Sequence, residues 1–194
     1  EASHGNISRL TSLPQNVRPM STYTLHHGIA PLLVSLPHDG TAVPDGIAAR
    51  LTDSARRVPD TDWHVSKLYD FARDMGASLL VPKYSRYVVD LNRPPDDVSL
   101  YPGQNTTGLC PHVQFSGEPV YLDGQDPGED EVASRVEQYW RPYHQALQAE
   151  LQRIHAQHGR AVLWEGHSIR GVVPFLFEGR LPDLNLGTAA GTSC

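Results

Sequence analysis

Three short apolar segments recur along the chain, and polar residues follow each of them. The segments are residues 31–36, 86–91 and 161–164, and the polar groups behind them include His38, Asn92 and Glu165. Branched aliphatic and aromatic residues dominate these segments, as is typical of buried strands. The pattern predicts three buried strands, each followed directly by polar residues that we call its polar exit. Further strands are predicted at residues 23–25, as an edge strand, and at 78–81, paired with or next to 86–91. Residues 172–177 are predicted to form another strand or a bulged extension.

Helical periodicity appears between the predicted strands. Residues 58–76 predict a helix that Gly76 ends as a C-cap, and five residues fall on one of its faces: Val65, Leu68, Tyr69, Ala72 and Met75. A longer helix is predicted over residues 131–157, with apolar residues at three- and four-residue steps. Pro142 lies inside it, so we expect a kink there. A short helical piece is predicted at residues 47–51.

Strands and helices alternate, which indicates an α/β domain with a central sheet between helices. We expect residues 1–21 to form a flexible tail and residues 22–194 to form a single domain, which is long enough to bury its own core. Residues 96–127 are rich in Gly and Pro, and a loop region of that length is usually functional or flexible.

The bulk properties exclude several classes of protein. The formal charge is −6, from 16 Lys and Arg against 22 Asp and Glu, and the basic residues are scattered, so nucleic acid is not an expected partner. No apolar run approaches the roughly 20 residues that span a bilayer, and no basic segment with an apolar h-region begins the chain. We therefore expect a cytoplasmic protein. Cys110 and Cys194 are the only cysteines, which excludes a disulfide framework.

The polar strand exits carry the residue types of a metal site. Sites in open α/β sheets collect at the carboxyl ends of strands, so His38 and His167 are expected near each other. A single histidine in such a loop is most often structural, but two of them beside an arginine-bearing strand favour a site. Two imidazoles with a carboxylate from Asp60 or Asp62 form a standard catalytic zinc set with a position left for water.

Cationic residues near the same exits suggest the kind of substrate. Arg93, with Asn92 beside it, is a candidate to grip a carboxylate in bidentate fashion, and Arg86 is a second candidate. The implied reaction is hydrolysis of an amide bond in a small acidic molecule. The chain has no G-x-G-x-x-G after a strand, no P-loop and no G-x-S-x-G elbow, which disfavours nucleotide cofactors and a serine nucleophile.

Seven segments, in order over nearly all of residues 31–194, carry a family resemblance. They are LLVSLPHDGTAVP (32–44), DTDWHVSKLYDFA (60–72), SRYVVDLNRPPD (85–96), LYPGQ (100–104), LCP (109–111), EGHSI (165–169) and GRLPDLNLGT (179–188). Together they resemble the N-formylglutamate amidohydrolase family. That resemblance implies release of formate from N-formyl-L-glutamate in histidine degradation. It also implies a three-layer α/β/α sandwich around a mixed sheet, similar to zinc carboxypeptidases.

The resemblance also assigns roles to residues. It implies a divalent metal, zinc first, held by His38, Asp62 and His167, with Asp60 left as the helix cap. Asn92 and Arg93 match a DLNR motif that holds a substrate carboxylate in related amidases.

Catalytic roles are predicted for Glu165 and Arg93. Glu165 either acts as base on the metal-bound water or orients a metal ligand without contacting the metal itself. The family commonly has Asp at this position, and it usually continues past residue 194 with a glutamate-containing segment. We therefore expect this chain to lack the family's C-terminal part. The alternative hypotheses are a deacylase of another N-acyl amino acid and a non-catalytic fragment that binds metal or ligand.

Overall fold

A four-stranded mixed sheet forms the centre of the described residues, which are 21–98 and 107–187 of a computed structural model. Its strands are β1 (Tyr23–His26), β2 (Leu32–Ser35), β3 (Ser78–Pro82) and β4 (Val162–Glu165). Their spatial order is β1-β3-β2-β4. Strand β2 pairs in parallel with β3 and β4, whereas β1 pairs antiparallel with β3 at one edge. Four of the predicted strands and the α/β class are thus confirmed. The burial predicted for the strand at 161–164 is wrong, because β4 is exposed along its length.

Short helices precede β3, and a long helical stretch precedes β4. The α-helices are α1 (Asp45–Ala48), α2 (Val65–Leu68), α3 (Phe71–Asp74), α4 (Glu129–Arg135) and α5 (Arg141–His158), with a 3₁₀ turn at Ala55–Arg57. A π-helical turn at Val136–Trp140 joins α4 to α5. Pro142 cannot donate the backbone hydrogen bond that α geometry requires of its position. A π turn thus lies directly before Pro142, and the kink expected there stays a prediction.

Alternate residues of the central strands face different helices. Leu33 and Leu80 pack in one core cluster with Tyr143 and Ile154 of α5. Val34 and Leu79 pack in another cluster, with Val65 of α2 and Ala72 of α3. Since successive residues of a strand point to opposite faces, helices cover both faces of the sheet.

The predicted strand at residues 86–91 is wrong, because this segment forms a turn. The backbone N–H of Val88 donates to the carbonyl of Ser85, and Arg86 pairs with Asp90 four residues later. In a strand these two side chains would start about 13 Å apart, so extended backbone could not join them. Tyr87, Val88 and Val89 are nevertheless buried, which explains their apolar character.

The helix predicted over residues 58–76 is also wrong in its extent. His64 has a positive φ of 64°, and the helical turns begin only after it as the separate α2 and α3. Leu68 and Met75 of the predicted buried face are 66% and 62% exposed. Only part of the amphipathic pattern therefore reflects burial.

Other predictions at the chain's ends and loops differ or fall outside the described residues. Residues 172–177 form a turn in which Val173 accepts hydrogen bonds from the backbone of Leu176 and Phe177, so the strand predicted there is wrong. The predicted tail, except for residue 21, and the LYPGQ segment lie outside the described ranges. The division at residue 21 stays a prediction. Within the described ranges, no helix combines the length and apolar content that a membrane crossing requires.

Candidate metal centre

Three side chains from distant parts of the sequence meet at the carboxyl end of the sheet. His38, Asp62 and His167 each offer a ligand atom, and these atoms lie within 4.8 Å of one another. A carboxylate oxygen of Asp62 lies 3.8 Å from Nδ1 of His38 and 3.1 Å from Nδ1 of His167. The two imidazole rings have centroids 5.0 Å apart. We call these three residues the His-Asp-His cluster.

Backbone contacts fix the positions of the cluster residues. His38 follows β2, and its carbonyl accepts a hydrogen bond from the N–H of Asp62. The N–H of Gly166 donates to the carbonyl of Ser35 in β2, which holds the exit of β4 against the same strand. The N–H of Ser168 donates to the Asp62 carboxylate. All three cluster residues are therefore anchored to the end of β2.

A buried chain of charges orients the ring of His38. Its Nε2 donates to Asp90 at 2.7 Å, and the other carboxylate oxygen of Asp90 accepts from Arg86 at 2.5 Å. Burial alone would raise the pKa of Asp90, but the charges of His38 and Arg86 outweigh it and hold that pKa well below its usual range. With Nε2 engaged in this way, Nδ1 of His38 is the nitrogen left to face Asp62.

Electrostatics favour the neutral form of His38. Burial lowers the pKa of His38, and the Arg86 charge lowers it further, although the carboxylates of Asp90 and Asp62 oppose the shift. Metals bind the neutral imidazole, so this shift reduces competition from protons. A carboxylate behind a metal-binding histidine is a common supporting arrangement.

The cluster fits a zinc ion by its donor types and by the two spacings that involve Asp62. Two imidazoles and one carboxylate are a donor set of catalytic zinc sites. Ligand atoms bound to a tetrahedral zinc at 2.0–2.1 Å lie about 3.3 Å apart. The two distances from Asp62 to the histidines, 3.1 and 3.8 Å, lie on either side of that value. That these residues bind a metal stays a prediction.

The residues predicted to hold substrate occupy different environments. The amide nitrogen of Asn92 lies 3.3 Å from Nε2 of His167, which places Asn92 at the cluster. Arg93 is partly buried, and its guanidinium donates to the carbonyls of Thr107 and Asn92. Arg86 is only 5% exposed and is engaged by Asp90.

Glu165 ends β4 and lies outside the His-Asp-His cluster. Strand β4 pairs with β2 so that Glu165 is opposite Ser35, whose hydroxyl is hydrogen bonded to Tyr143. Burial raises the pKa of Tyr143, and the charge of Glu165 adds to that effect. Glu165 is exposed. No contact among the described residues ties its carboxylate to the cluster.

Asp60 does not cap a helix, contrary to the expectation from its place in the sequence. One of its carboxylate oxygens accepts from the Tyr87 hydroxyl at 2.7 Å and from the backbone N–H of Phe115 at 2.8 Å. Its other oxygen lies 3.8 Å from the guanidinium of Arg170. Sequence reasoning missed this arrangement, although Arg170 lies only three residues after His167.

The chain matches one family model and two curated bacterial relatives. The model for N-formylglutamate amidohydrolase matches residues 30–194. The chain is 52% identical over 171 residues to N-formylglutamate deformylase of Pseudomonas putida, covering 88% of this chain and 64% of the relative. It is 52% identical over 167 residues to N-formylglutamate deformylase of Pseudomonas aeruginosa, covering 86% of this chain and 62% of the relative. The chain thus spans less than two thirds of each relative's length.

Two solved structures have a similar fold. The crystal structure of N-formylglutamate amidohydrolase from Ralstonia eutropha superposes with a TM-score of 0.69 at 25% identity, over 78% of this chain and 59% of that one. A gene product of Agrobacterium tumefaciens superposes with a TM-score of 0.60 at 20% identity, over 84% of this chain and 61% of that one. The second likeness shows the fold alone.

Proposed function

The chain belongs to the N-formylglutamate amidohydrolase family, and from this premise we propose that the protein hydrolyses N-formyl-L-glutamate to formate and L-glutamate. The His-Asp-His cluster is the observation that carries the proposal, because it supplies a hydrolytic donor set at the carboxyl end of the sheet. Histidine degradation is the proposed source of the substrate. The zinc carboxypeptidase-like classification and the cytoplasmic location stay predictions.

We propose zinc as the ion that His38, Asp62 and His167 hold. The chemistry that zinc supplies at such a site is polarisation of a carbonyl and activation of water near neutral pH. The chain's own residues prepare the site for it. Asp90 fixes the tautomer of His38, and the low pKa of His38 keeps its ring neutral.

Hydrolysis requires that a water oxygen bond to the formyl carbon, that the C–N bond break and that the amine nitrogen gain a proton. Glu165 is the candidate in this chain for moving that proton, since its carboxylate is exposed beside the exit that bears His167. Its alternative role is to orient a metal ligand without contacting the metal itself. Asn92 lies beside His167, which supports it as the candidate to hold a polar group of the substrate. Arg93 is the candidate partner for a substrate carboxylate.

The experiment uses the full-length protein that contains this chain. Zinc-loaded protein is incubated with N-formyl-L-glutamate, and the released formate is measured. Hydrolysis of N-acetyl-L-glutamate and of N-succinyl-L-glutamate is measured in parallel. The proposal expects formate release from the formyl compound above turnover of the other two. A preference for another acyl group would support the deacylase alternative, and bound metal without turnover of any compound would support a binding module.

A variant links the activity to the cluster. His38→Ala is expected to lose bound zinc, measured by elemental analysis, together with formate release. His112→Ala is the control, because His112 pairs with Asp126 on the surface away from the cluster. Equal zinc content in wild type and His38→Ala would remove the basis of the proposed mechanism.

A further inference from the structure

A second concave site adjoins the cluster on the side of Asp62. The pocket has a volume of about 300 Å³ and is lined by residues 59–63, Phe115 and residues 168–170. This volume lies at the lower end of the range for small-molecule sites, about 300–1,000 Å³. Asp62 belongs to both the cluster and the pocket wall, so a molecule in the pocket is next to the proposed metal.

Buried polar atoms in the pocket wall lack hydrogen-bond partners. Asp60 is 4% exposed and Thr61 is 8% exposed. Oδ1 of Asp60 and Oγ1 of Thr61 make no hydrogen bond with any described residue. Buried polar atoms are nearly always paired, and exceptions call for an explanation. The Thr61 hydroxyl can donate to a ligand in the pocket, whereas the Asp60 oxygen can only accept and is the one that faces Arg170.

Arg170 is the cation at this pocket that is available to a ligand. Its side chain is 59% exposed, and it makes no hydrogen bond within the described part of the chain. Its one ion pair among the described residues is the 3.8 Å contact with Asp60, which is longer than a hydrogen bond. Arg86 and Arg93, in contrast, already donate to protein oxygens. Arg170 therefore keeps all of its donors for a ligand, whereas Arg86 and Arg93 have only part of theirs left.

Asp60 holds a fixed negative charge beneath Arg170. The hydrogen bonds from Tyr87 and Phe115 lock one carboxylate oxygen, and the other stays directed towards the guanidinium. Trp63 and Ile169 supply apolar walls in the same pocket. The pocket thus combines an apolar wall for methylene groups with a positioned cation at one end.

We propose that Arg170 binds the side-chain carboxylate of an acidic N-acyl amino acid and so sets the preference for glutamate over neutral residues. This inference rests on the proposed function, because it names the part of the substrate that the pocket holds. An N-acyl glutamate has two carboxylates and needs two cationic partners. Arg93 is the candidate for one carboxylate, and Arg170 supplies the partner for the other.

The test compares two isosteric substrates in the full-length protein. Arg170→Gln is expected to lower kcat/KM for N-formyl-L-glutamate by about 10- to 100-fold, mainly through a higher KM, because a charged hydrogen bond is lost. For N-formyl-L-glutamine, whose side chain is neutral, kcat/KM should change by less than about threefold. Arg170→Lys should retain part of the preference, since lysine keeps the charge but not the fork.

Binding of glutarate to metal-free protein gives a readout that is independent of turnover. Isothermal titration should show weaker glutarate binding by Arg170→Gln, with wild-type binding by Arg160→Gln, which removes an exposed arginine after α5. This outcome would support the subsite even if N-formyl-L-glutamate proved not to be hydrolysed. Hydrolysis by wild type with unchanged selectivity in Arg170→Gln would leave the function intact and overturn the subsite.

Arg180 provides a competing location. It lines a neighbouring pocket that also reaches His167, and it lies 3.6 Å from the exposed Asp183. If Arg180→Gln, and not Arg170→Gln, reduced the glutamate preference, the side-chain carboxylate would lie in that pocket and the assignment to Arg170 would be wrong. Absence of glutarate binding by wild type would also overturn it.

Discussion

Gly166 lies between the end of β4 and His167, where the backbone passes close to other residues. A Cβ atom at this position would lie 2.6 Å from Leu36 and 2.8 Å from the ring of Tyr69. Leu36 is fully buried, so it has little room to move. The absence of a side chain at Gly166 therefore allows His167 to reach Asp62.

We expect Gly166→Ala to displace His167 from the cluster. Overpacking of this kind costs about 1–3 kcal/mol of unfolding free energy, and the shift should also weaken zinc binding. Urea denaturation and chelator competition measure the two effects. Gly46→Ala is the matched control, because a Cβ there meets nothing within 4 Å and Gly46 lies in α1. Similar zinc affinity in both variants would show that the close approach does not position His167.

Asp90 is the residue through which His38 and Arg86 are joined. Asp90→Asn keeps the size of the side chain but removes its charge, so His38 loses its anionic partner and Arg86 is left buried beside a neutral amide. We expect zinc affinity to fall by about 10- to 100-fold, as for other carboxylates behind metal ligands. We also expect a lower melting temperature of the metal-free protein. Asp126→Asn, at a surface pair with His112, should change neither quantity.

Glu150 connects helix α5 to the sheet by a buried network. Its carboxylate accepts hydrogen bonds from Ser78 of β3, from Arg153 and from His27. The hydrogen bond from Arg153, followed by those from Ser78 and His27, outweighs burial and lowers the pKa of Glu150 to about 2 from 4.5. Helix α5, which covers one face of the sheet, is thus held in place by the hydrogen bonds of a charged carboxylate as well as by apolar packing.

This network predicts a pH-dependent part of stability. Because the folded pKa is below the unfolded one, the contribution is complete above about pH 4.5 and is lost as the pH falls towards about 2. The shift corresponds to at most about 3 kcal/mol. Urea denaturation at pH 7 and pH 3 should show a smaller loss of stability in Glu150→Gln than in wild type. Glu137→Gln removes an exposed pair with Arg141 and should follow the wild-type profile.

Local sequence patterns correctly predicted those elements whose conformation depends on their own residues and on burial. The strands β2 and β3 are short, apolar and buried, so their sequence alone identified them. The segment at 86–91 has the same residue types, but Asp90 there binds His38, 52 residues earlier, and the backbone of Leu109. No pattern within the segment reveals those partners. The charged residues within the apolar run were the available signal of a non-strand conformation.

The site was predictable to a similar extent. The polar residues after the strands, together with the family resemblance, predicted a metal site of His38, Asp62 and His167. The structure brings the candidate ligand atoms of these residues together. The roles of Asp60 and Arg170 were not predictable, because they depend on the contacts with Tyr87 and Phe115. Helix capping is a local rule, and a tertiary hydrogen bond overrides it here.

At the scale of the whole molecule, the cluster joins segments that the chain separates by up to 129 residues. His38 follows β2, Asp62 precedes α2 and His167 follows β4, so an ion that binds all three ties the end of the sheet to both flanking segments. A ligand that binds only the folded state stabilises it in proportion to the logarithm of its concentration. At a free concentration 1,000 times Kd, the gain is about 4 kcal/mol.

We therefore expect zinc to raise the melting temperature of the full-length protein, measured against the same protein in chelator. The increase should grow with zinc concentration and disappear in His38→Ala and His167→Ala, because each variant removes one of the three proposed ligands. His112→Ala should keep the full increase, since His112 contacts Asp126 and not the cluster. An equal increase in His38→Ala and wild type would mean that zinc stabilises the protein from another site, and the cluster would then not be what links these three segments.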